Sequence, residues 1–388
     1  MIPFDHAVQQ LRSLKVPLVT EEVPLARALG RVLPRQVEAT LDQPPFDKAA
    51  MDGWAHDGGD SATLNAITTI AAGEFQDRPV LPGEAVKIMT GAPIPPRAKR
   101  VQRIEWSELK DGLVRFTRKE GMANIIRRGE NARAGSVLLH PRVLAASDLA
   151  VLAADGRAAV EVARRPVVGV LSTGSELFEP GVVLDPGGIY DSNRIMVLSQ
   201  LAGGAADLVD LGTVPDDATA TRDKIAAALE RVTILVLSGG VSRGDFDHVP
   251  QALDDCGVRT EFHWVAVKPG RPTYFGRTTR SFVFGLAGNP VSVFVHTELL
   301  VRTLIMTLSG LDWDPKLVPV PVAQKITRRS TDRIEFVPIS IDSDGLRPVD
   351  YGGPSALQAL AETDGLVRFE VGQREIEAKG VTNVRRVR

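Results

Sequence analysis

A chain of 388 residues is longer than one ordinary core of about 100–200 residues, so several folding units are expected. Its 46 basic and 48 acidic residues leave a formal charge of −2, which excludes an overall basic field for nucleic acid or anionic lipid. The single cysteine, Cys256, excludes an internal disulfide and argues against a structural zinc or iron–sulfur centre, in keeping with a reducing cytoplasm.

The opening Met1-Ile2-Pro3-Phe4-Asp5-His6 has neither a basic start nor an apolar signal core. The longest uncharged stretch, 281–297, is broken by Gly288-Asn289-Pro290 and falls short of the roughly 20 residues that span a bilayer. A cytoplasmic protein with no membrane and no nucleic-acid partner is expected. Phe4, Val8, Leu11 and Leu14 recur three or four apart and predict an amphipathic helix stopped by Pro17. A second short helix is predicted over 23–29, closed by Gly30. After an extended, proline-rich stretch to Pro45, the run Phe46-Asp47-Lys48-Ala49-Ala50-Met51-Asp52-Gly53 reads as a loop with two carboxylates. Residues 54–128 alternate short apolar runs with turns such as Pro82-Gly83 and Asp111-Gly112, the pattern of a mainly β insert. A helix is expected over 147–154, and Arg164-Arg165 before Pro166 marks a boundary.

Beyond Pro166 the apolar runs 167–171, 234–237 and 282–286 are near-continuous, as expected of strands buried on both faces of a parallel sheet. Helical patterns over 194–201, 219–229 and 291–308 alternate with them, which predicts a doubly wound α/β domain. From 312 onward short β patterns return, with one helix near 355–361, and predict a separate small β-rich module.

Three of the buried strands run into turns of small residues: Ser172-Thr173-Gly174-Ser175-Glu176, Ser238-Gly239-Gly240-Val241-Ser242 and Ala287-Gly288-Asn289-Pro290-Val291-Ser292. One such turn is an ordinary connection; three at the carboxyl ends of parallel strands predict a shared crevice, with the helix after Asn289 aiming its free amides at an anion. Gly239 to Gly244 has Walker A glycine spacing, but Asp245 stands where the lysine belongs, and no dinucleotide glycine motif follows a strand. Asp245-Phe246-Asp247-His248 is either a solvated acidic loop or a pair of carboxylates suited to magnesium on phosphate oxygens. Lys268-Pro269-Gly270-Arg271-Pro272 sets two cations on a stiff turn, fit for phosphate or another oxyanion, or simply exposed. Asp47, Asp52 and Thr90-Gly91 offer further oxygens from the β insert, and could complete the same site only at a domain or subunit junction. No histidine pair has zinc-ligand spacing, no nucleophile elbow is present, and His6 and His296 read as packing or surface residues.

Together these motifs resemble the molybdopterin molybdenumtransferases, the MoeA family that also includes the C-terminal domain of gephyrin. The resemblance rests on Pro45-Phe46-Asp47 through Met51-Asp52-Gly53-Trp54-Ala55, Met89-Thr90-Gly91-Ala92-Pro93, Arg128-Gly129-Glu130-Asn131 and Tyr190-Asp191-Ser192-Asn193. It also rests on the three turns, Lys268 to Pro272, and the tail Gly353-Pro354-Ser355-Ala356-Leu357 to Asp364-Gly365-Leu366. It implies a multidomain α/β and β chain: a molybdopterin-binding three-layer α/β domain (1–20 plus 166–311), a small linking domain (21–42 plus 136–165), a mainly β inserted domain (43–135) and a C-terminal β-barrel-like domain (312–388). It implies a homodimer that inserts molybdate into adenylated molybdopterin, with Mg2+-dependent hydrolysis of the adenylate to AMP. Molybdopterin adenylyltransferase and molybdoenzyme acceptors would be its partners. A tungstate-inserting paralogue and a non-catalytic cofactor-binding scaffold are the alternatives.

Carried over by position, Asp52, Thr90, Glu176, Asp216 and Asp247 would be catalytic, with Glu176 and Asp247 holding the metal and Asp52 and Thr90 facing the other subunit. Ser172, Thr173, Gly174, Asn193, Gly239, Gly240, Ser242, Lys268, Arg271, Asn289 and Pro290 would bind substrate. Asn131, Ala287 and Arg271 depart from the residues common in the family at those positions.

Overall fold

In the computed structural model, residues 1–241, 248–350, 353 and 356–387 are described; the expected site residues Ser242 and Asp247 lie outside them. A six-stranded sheet forms the floor of the molecule, in the order Asp207–Val214, Val167–Thr173, Ile234–Ser238, Phe282–Leu286, Thr273–Arg277, Arg259–His263. The first four strands are parallel. Side chains alternate between its faces: Val168, Val170, Ile234 and Val236 pack into one core with helices Phe4–Arg12, Ser192–Leu201 and Pro290–Leu308. Leu171, Leu235 and Leu237 pack into the other with helices Ala218–Leu229 and Val249–Asp255. Burial on both faces is why the runs are apolar without alternation, and the expected three-layer α/β architecture is present.

The sheet is mixed rather than wholly parallel. Only four residues separate Thr273–Arg277 from Phe282–Leu286, closed by Thr278 N donating to Ser281 O at 2.8 Å, and so short a connection permits only an antiparallel pair. The helix expected over 23–29 is also corrected. Val23 and Pro24 belong to strand Thr20–Pro24, paired with Ala159–Ala163, and only Leu25–Arg27 forms a 3-10 turn. A partner distant in sequence overrides the local pattern. Helix Pro290–Leu308, with a π segment at Thr297–Val301, is long and apolar enough to cross a bilayer, but 78% of its most apolar window is buried against the sheet and its neighbours.

The insert is mainly β, as expected: a six-stranded sheet in the order Ser107–Lys110, Leu113–Phe116, Thr63–Ile70, Glu84–Ile88, Gly53–His56, Arg100–Arg103. The C-terminal region is not a detached module. Strand Val265–Lys268 leaves the floor sheet and pairs in parallel with Ile2–Pro3 on one side and with Ile334–Asp342 on the other. Gly365–Phe369, Val381–Arg386 and Val318–Pro321 extend that sheet.

Candidate functional site

Strands in parallel register end together: Ser172 lies beside Ser238, and Ser238 beside Leu286. Their three turns therefore emerge side by side and enclose a crevice of about 430 Å3. Thr173, Gly174, Gly239, Gly240 and Asn289 line it, with Glu176 and Asp216 from flanking loops and Pro272 opposite. Gly239 (φ +93°) and Gly240 (φ +62°) are required by the close approach of the first turn: a Cβ would fall 2.6 Å from Thr173 O in one case and 2.7 Å from Thr173 Oγ1 in the other. Thr173 Oγ1 is buried in this wall with no hydrogen-bond partner among the described residues. An orphaned hydroxyl is costly unless something else meets it, which marks this wall as a ligand surface.

The turns are fixed from behind. Asn193 Nδ2 donates to Ser238 Oγ (3.0 Å) and to Gly288 O (2.7 Å), stitching the second turn to the third. Ser172 Oγ donates to Asp191 Oδ1 at 3.0 Å, and Asp191 caps helix Ser192–Leu201 by accepting from Arg194 N at 3.1 Å. The buried Arg194 guanidinium pairs with Asp191 (2.9 Å), Glu179 (2.5 Å) and Asp210. Burial works against its charge, yet hydrogen bonds to Asp191, Asp210 and Glu179 outweigh it and raise its pKa. This network anchors both ends of the segment that carries Glu176. Sequence reasoning did not find Arg194; the Asp191-Ser192 pair, a helix N-cap signature, was the available signal.

Glu176 folds beneath the first turn, where a Cβ on Gly174 (φ +150°) would sit 2.6 Å from its Oε2. Asp216 Oδ2 accepts from Ser175 N (3.1 Å), while Asp216 N donates to Ser175 Oγ (2.9 Å). Two carboxylates thus border one crevice. They supply the hard oxygen donors that magnesium takes together with phosphate and water oxygens. Among the described residues no group of three histidine, cysteine or acidic side chains could hold a metal alone.

Other expected residues lie elsewhere. Ser172 is fully buried and turned inward to Asp191, a frame residue rather than a wall residue. Lys268 Nζ pairs with the buried Glu335 at 2.8 Å, so its charge is engaged with the C-terminal sheet rather than with the crevice. Arg271 is exposed, its guanidinium 5.5 Å from the Trp264 ring, and Pro272 is the part of that loop which reaches the crevice. Asp52 and Thr90 lie just beyond the ends of neighbouring strands of the insert, Asp52 before Gly53–His56 and Thr90 after Glu84–Ile88, where Gly53 pairs with Ile88. Asp52 Oδ1 accepts from Thr90 Oγ1 and Thr90 N, both at 2.7 Å. These bonds, side chain first, hold its carboxyl below the usual range. The pair is exposed and does not line this crevice. Asn131 is also exposed, its N–H donating to Gln43 O at 2.9 Å.

Residues 2–156 match the MoeA N-terminal region (domain I and II), and residues 169–307 match a probable molybdopterin binding domain. The molybdopterin molybdenumtransferase of Bacillus subtilis (strain 168) is 31% identical over 100% of this chain and 94% of its own. That of Haemophilus influenzae is 35% identical over 87% of this chain and 85% of its own. The molybdopterin biosynthesis MoeA protein from Pyrococcus horikoshii OT3 superposes with a TM-score of 0.84 at 27% identity, covering 99% of each chain. With its crevice formed within the molybdopterin-binding match and relatives above 30% identity spanning almost the whole chain, this protein belongs to the molybdopterin molybdenumtransferase (MoeA) family of molybdenum cofactor biosynthesis.

Proposed function

We propose that the crevice binds adenylated molybdopterin and that the protein inserts molybdate into the pterin dithiolene while the adenylate is hydrolysed. The observation that carries this reading is the convergence of three small-residue turns, an orphaned Thr173 hydroxyl and two carboxylates in one crevice. The turn amides and the start of helix Pro290–Leu308 would receive phosphate oxygens, and Thr173 Oγ1 would donate to one of them. Glu176 and Asp216, which line the crevice together, would hold Mg2+, which neutralises phosphate charge when bound; the expected ligand Asp247 lies outside the described residues. In the hydrolysis, water adds to the AMP phosphorus, the bond to the pterin phosphate oxygen breaks, and AMP leaves. Because Lys268 is engaged with Glu335, Arg271, which has no carboxylate partner among the described residues, would be the cation of the loop that draws in molybdate.

The exposed Asp52 and Thr90 supply no wall of the crevice in their own chain, which supports a homodimer in which they face the crevice of the partner subunit. Such a cytoplasmic enzyme would take its substrate from an adenylyltransferase and hand the cofactor to molybdoenzymes. Purified protein given adenylated molybdopterin, molybdate and Mg2+ is expected to release AMP; no release would overturn the reading.

A further inference from the structure

The loop 268–272 reaches the crevice through Pro272, yet its own backbone is held by His296, a residue the sequence reads as packing or surface. His296 is 1% exposed, within helix Pro290–Leu308. Its Nε2 lies 3.0 Å from Pro269 O and its Nδ1 lies 2.7 Å from Thr273 Oγ1. A carbonyl oxygen only accepts, so the ring proton sits on Nε2 and donates to Pro269, while Nδ1 accepts from Thr273. Thr273 Oγ1 also lies 2.8 Å from Gly270 O, so its single proton is shared between His296 Nδ1 and that carbonyl on the far side of the loop. The fit is tight: a Cβ on Gly270 (φ +92°) would fall 2.7 Å from His296 Nε2 and 3.1 Å from Ser292 Cβ. Only glycine lets this loop lie flat on the helix.

We propose that His296 is a positioning residue that latches loop 268–272 to the helix whose first turn faces the crevice. The helix that starts beside Asn289 is the helix that carries the latch, so Pro272, Arg271 and the third turn are placed as one body. The backbone supports this. Trp264 N donates to Thr273 O (3.0 Å) and Val265 N to Arg271 O (3.1 Å), which ties the two stems of the loop together. What those bonds leave open is the seat of the loop on the helix, and His296 supplies it. Burial keeps the imidazole neutral, with a pKa lowered to about 4, as a fixed donor and acceptor requires. The inference rests on the functional reading above only for its consequence, the placing of Arg271 for molybdate.

The test compares His296→Leu with His296→Gln, whose amide can donate to Pro269 O and accept from Thr273. Hydrogen–deuterium exchange over 264–273 is expected to rise in the leucine variant and to stay near wild type in the glutamine variant. In the AMP-release assay the leucine variant is expected to raise KM for molybdate about tenfold with kcat within about threefold, and the glutamine variant to recover most of this. Wild-type exchange in the leucine variant, or a glutamine variant as impaired as leucine in exchange and in KM, would overturn the latch. If the wild-type protein releases no AMP the functional reading falls, and the exchange comparison still decides whether His296 holds the loop.

Discussion

The crevice and the Asp52–Thr90 pair are both made where strands end, and they are finished in opposite ways. At Asp52 the geometry closes on itself: one carboxylate oxygen takes two hydrogen bonds from one threonine, in the open. In the crevice the supporting groups are satisfied from behind by Asn193, Asp191 and Arg194, while Thr173 Oγ1 at the wall is left with nothing among the described residues. Asn193 Oδ1 is likewise buried without a partner among the described residues, so the turns carry unmet polar atoms while the network about Arg194 is tied, as suits a region shaped for something that is not part of the chain. A self-satisfied exposed pair gains a chemical role only when a second surface arrives.

The frame of the crevice is most vulnerable at Arg194. Replacing it with methionine leaves Asp191 buried without its cation and Glu179 and Asp210 facing each other unscreened. Urea unfolding should show a loss of about 3 kcal/mol, the lower end for a broken buried pair because two partners are half exposed. A loss near zero would mean that the frame is not what holds the crevice.

A pH series tests the buried, neutral state of His296 on nearly the same scale. The imidazole titrates at about 4 in the folded chain against an ordinary 6.5, so below pH 6.5 the unfolded chain takes up the proton first. The stabilisation is full above pH 6.5 and is lost as pH falls toward 4, a total of about 3 kcal/mol. The difference between wild type and His296→Gln across that window isolates it, since carboxylates titrate in both. Gly240→Ala comes next, at about 2 kcal/mol, from a left-handed backbone and a Cβ pressed against Thr173 Oγ1; AMP release should fall with it.

Asp52→Asn sits at the small end for stability and sharpens the contrast. The thermal midpoint should scarcely move because the group is exposed, whereas AMP release should fall about a hundredfold if the pair meets a partner's crevice. Mixing this variant with a crevice-defective Gly240→Ala chain should restore part of the activity in mixed dimers. Absence of any restoration would count against sharing across subunits.

Much of the floor was legible because burial on both faces writes continuous apolar runs, and the three turns were legible because close backbone approach demands small residues. The edge strand Arg259–His263 was not, since arginine and threonine on a half-exposed edge give no apolar run, and the buried inner strand Thr273–Arg277 was not, since Gly276 and Arg277 cut its apolar run to Tyr274-Phe275. Strand Thr20–Pro24 was misread because its partner is remote. Among the residues that line the crevice, Thr173, Gly239, Gly240 and Asn289 were readable from their turns. The direction of Ser172 was not, because a hydroxyl can face either side of a strand end. Lys268 shows a harder limit: its partner, Glu335, comes from a region that local patterning treats as independent.

That partnership reaches further than one ion pair. Strand Val265–Lys268 is clasped between Ile2–Pro3 and Ile334–Asp342 and runs directly into the loop that His296 seats. Cutting the chain at the apparent seam near residue 311 would therefore open a raw sheet edge at the root of loop 268–272, inviting aggregation along with the loss of its support. Anyone grafting a different C-terminal region onto this scaffold has to carry over a strand that fits that slot and an acid opposite Lys268.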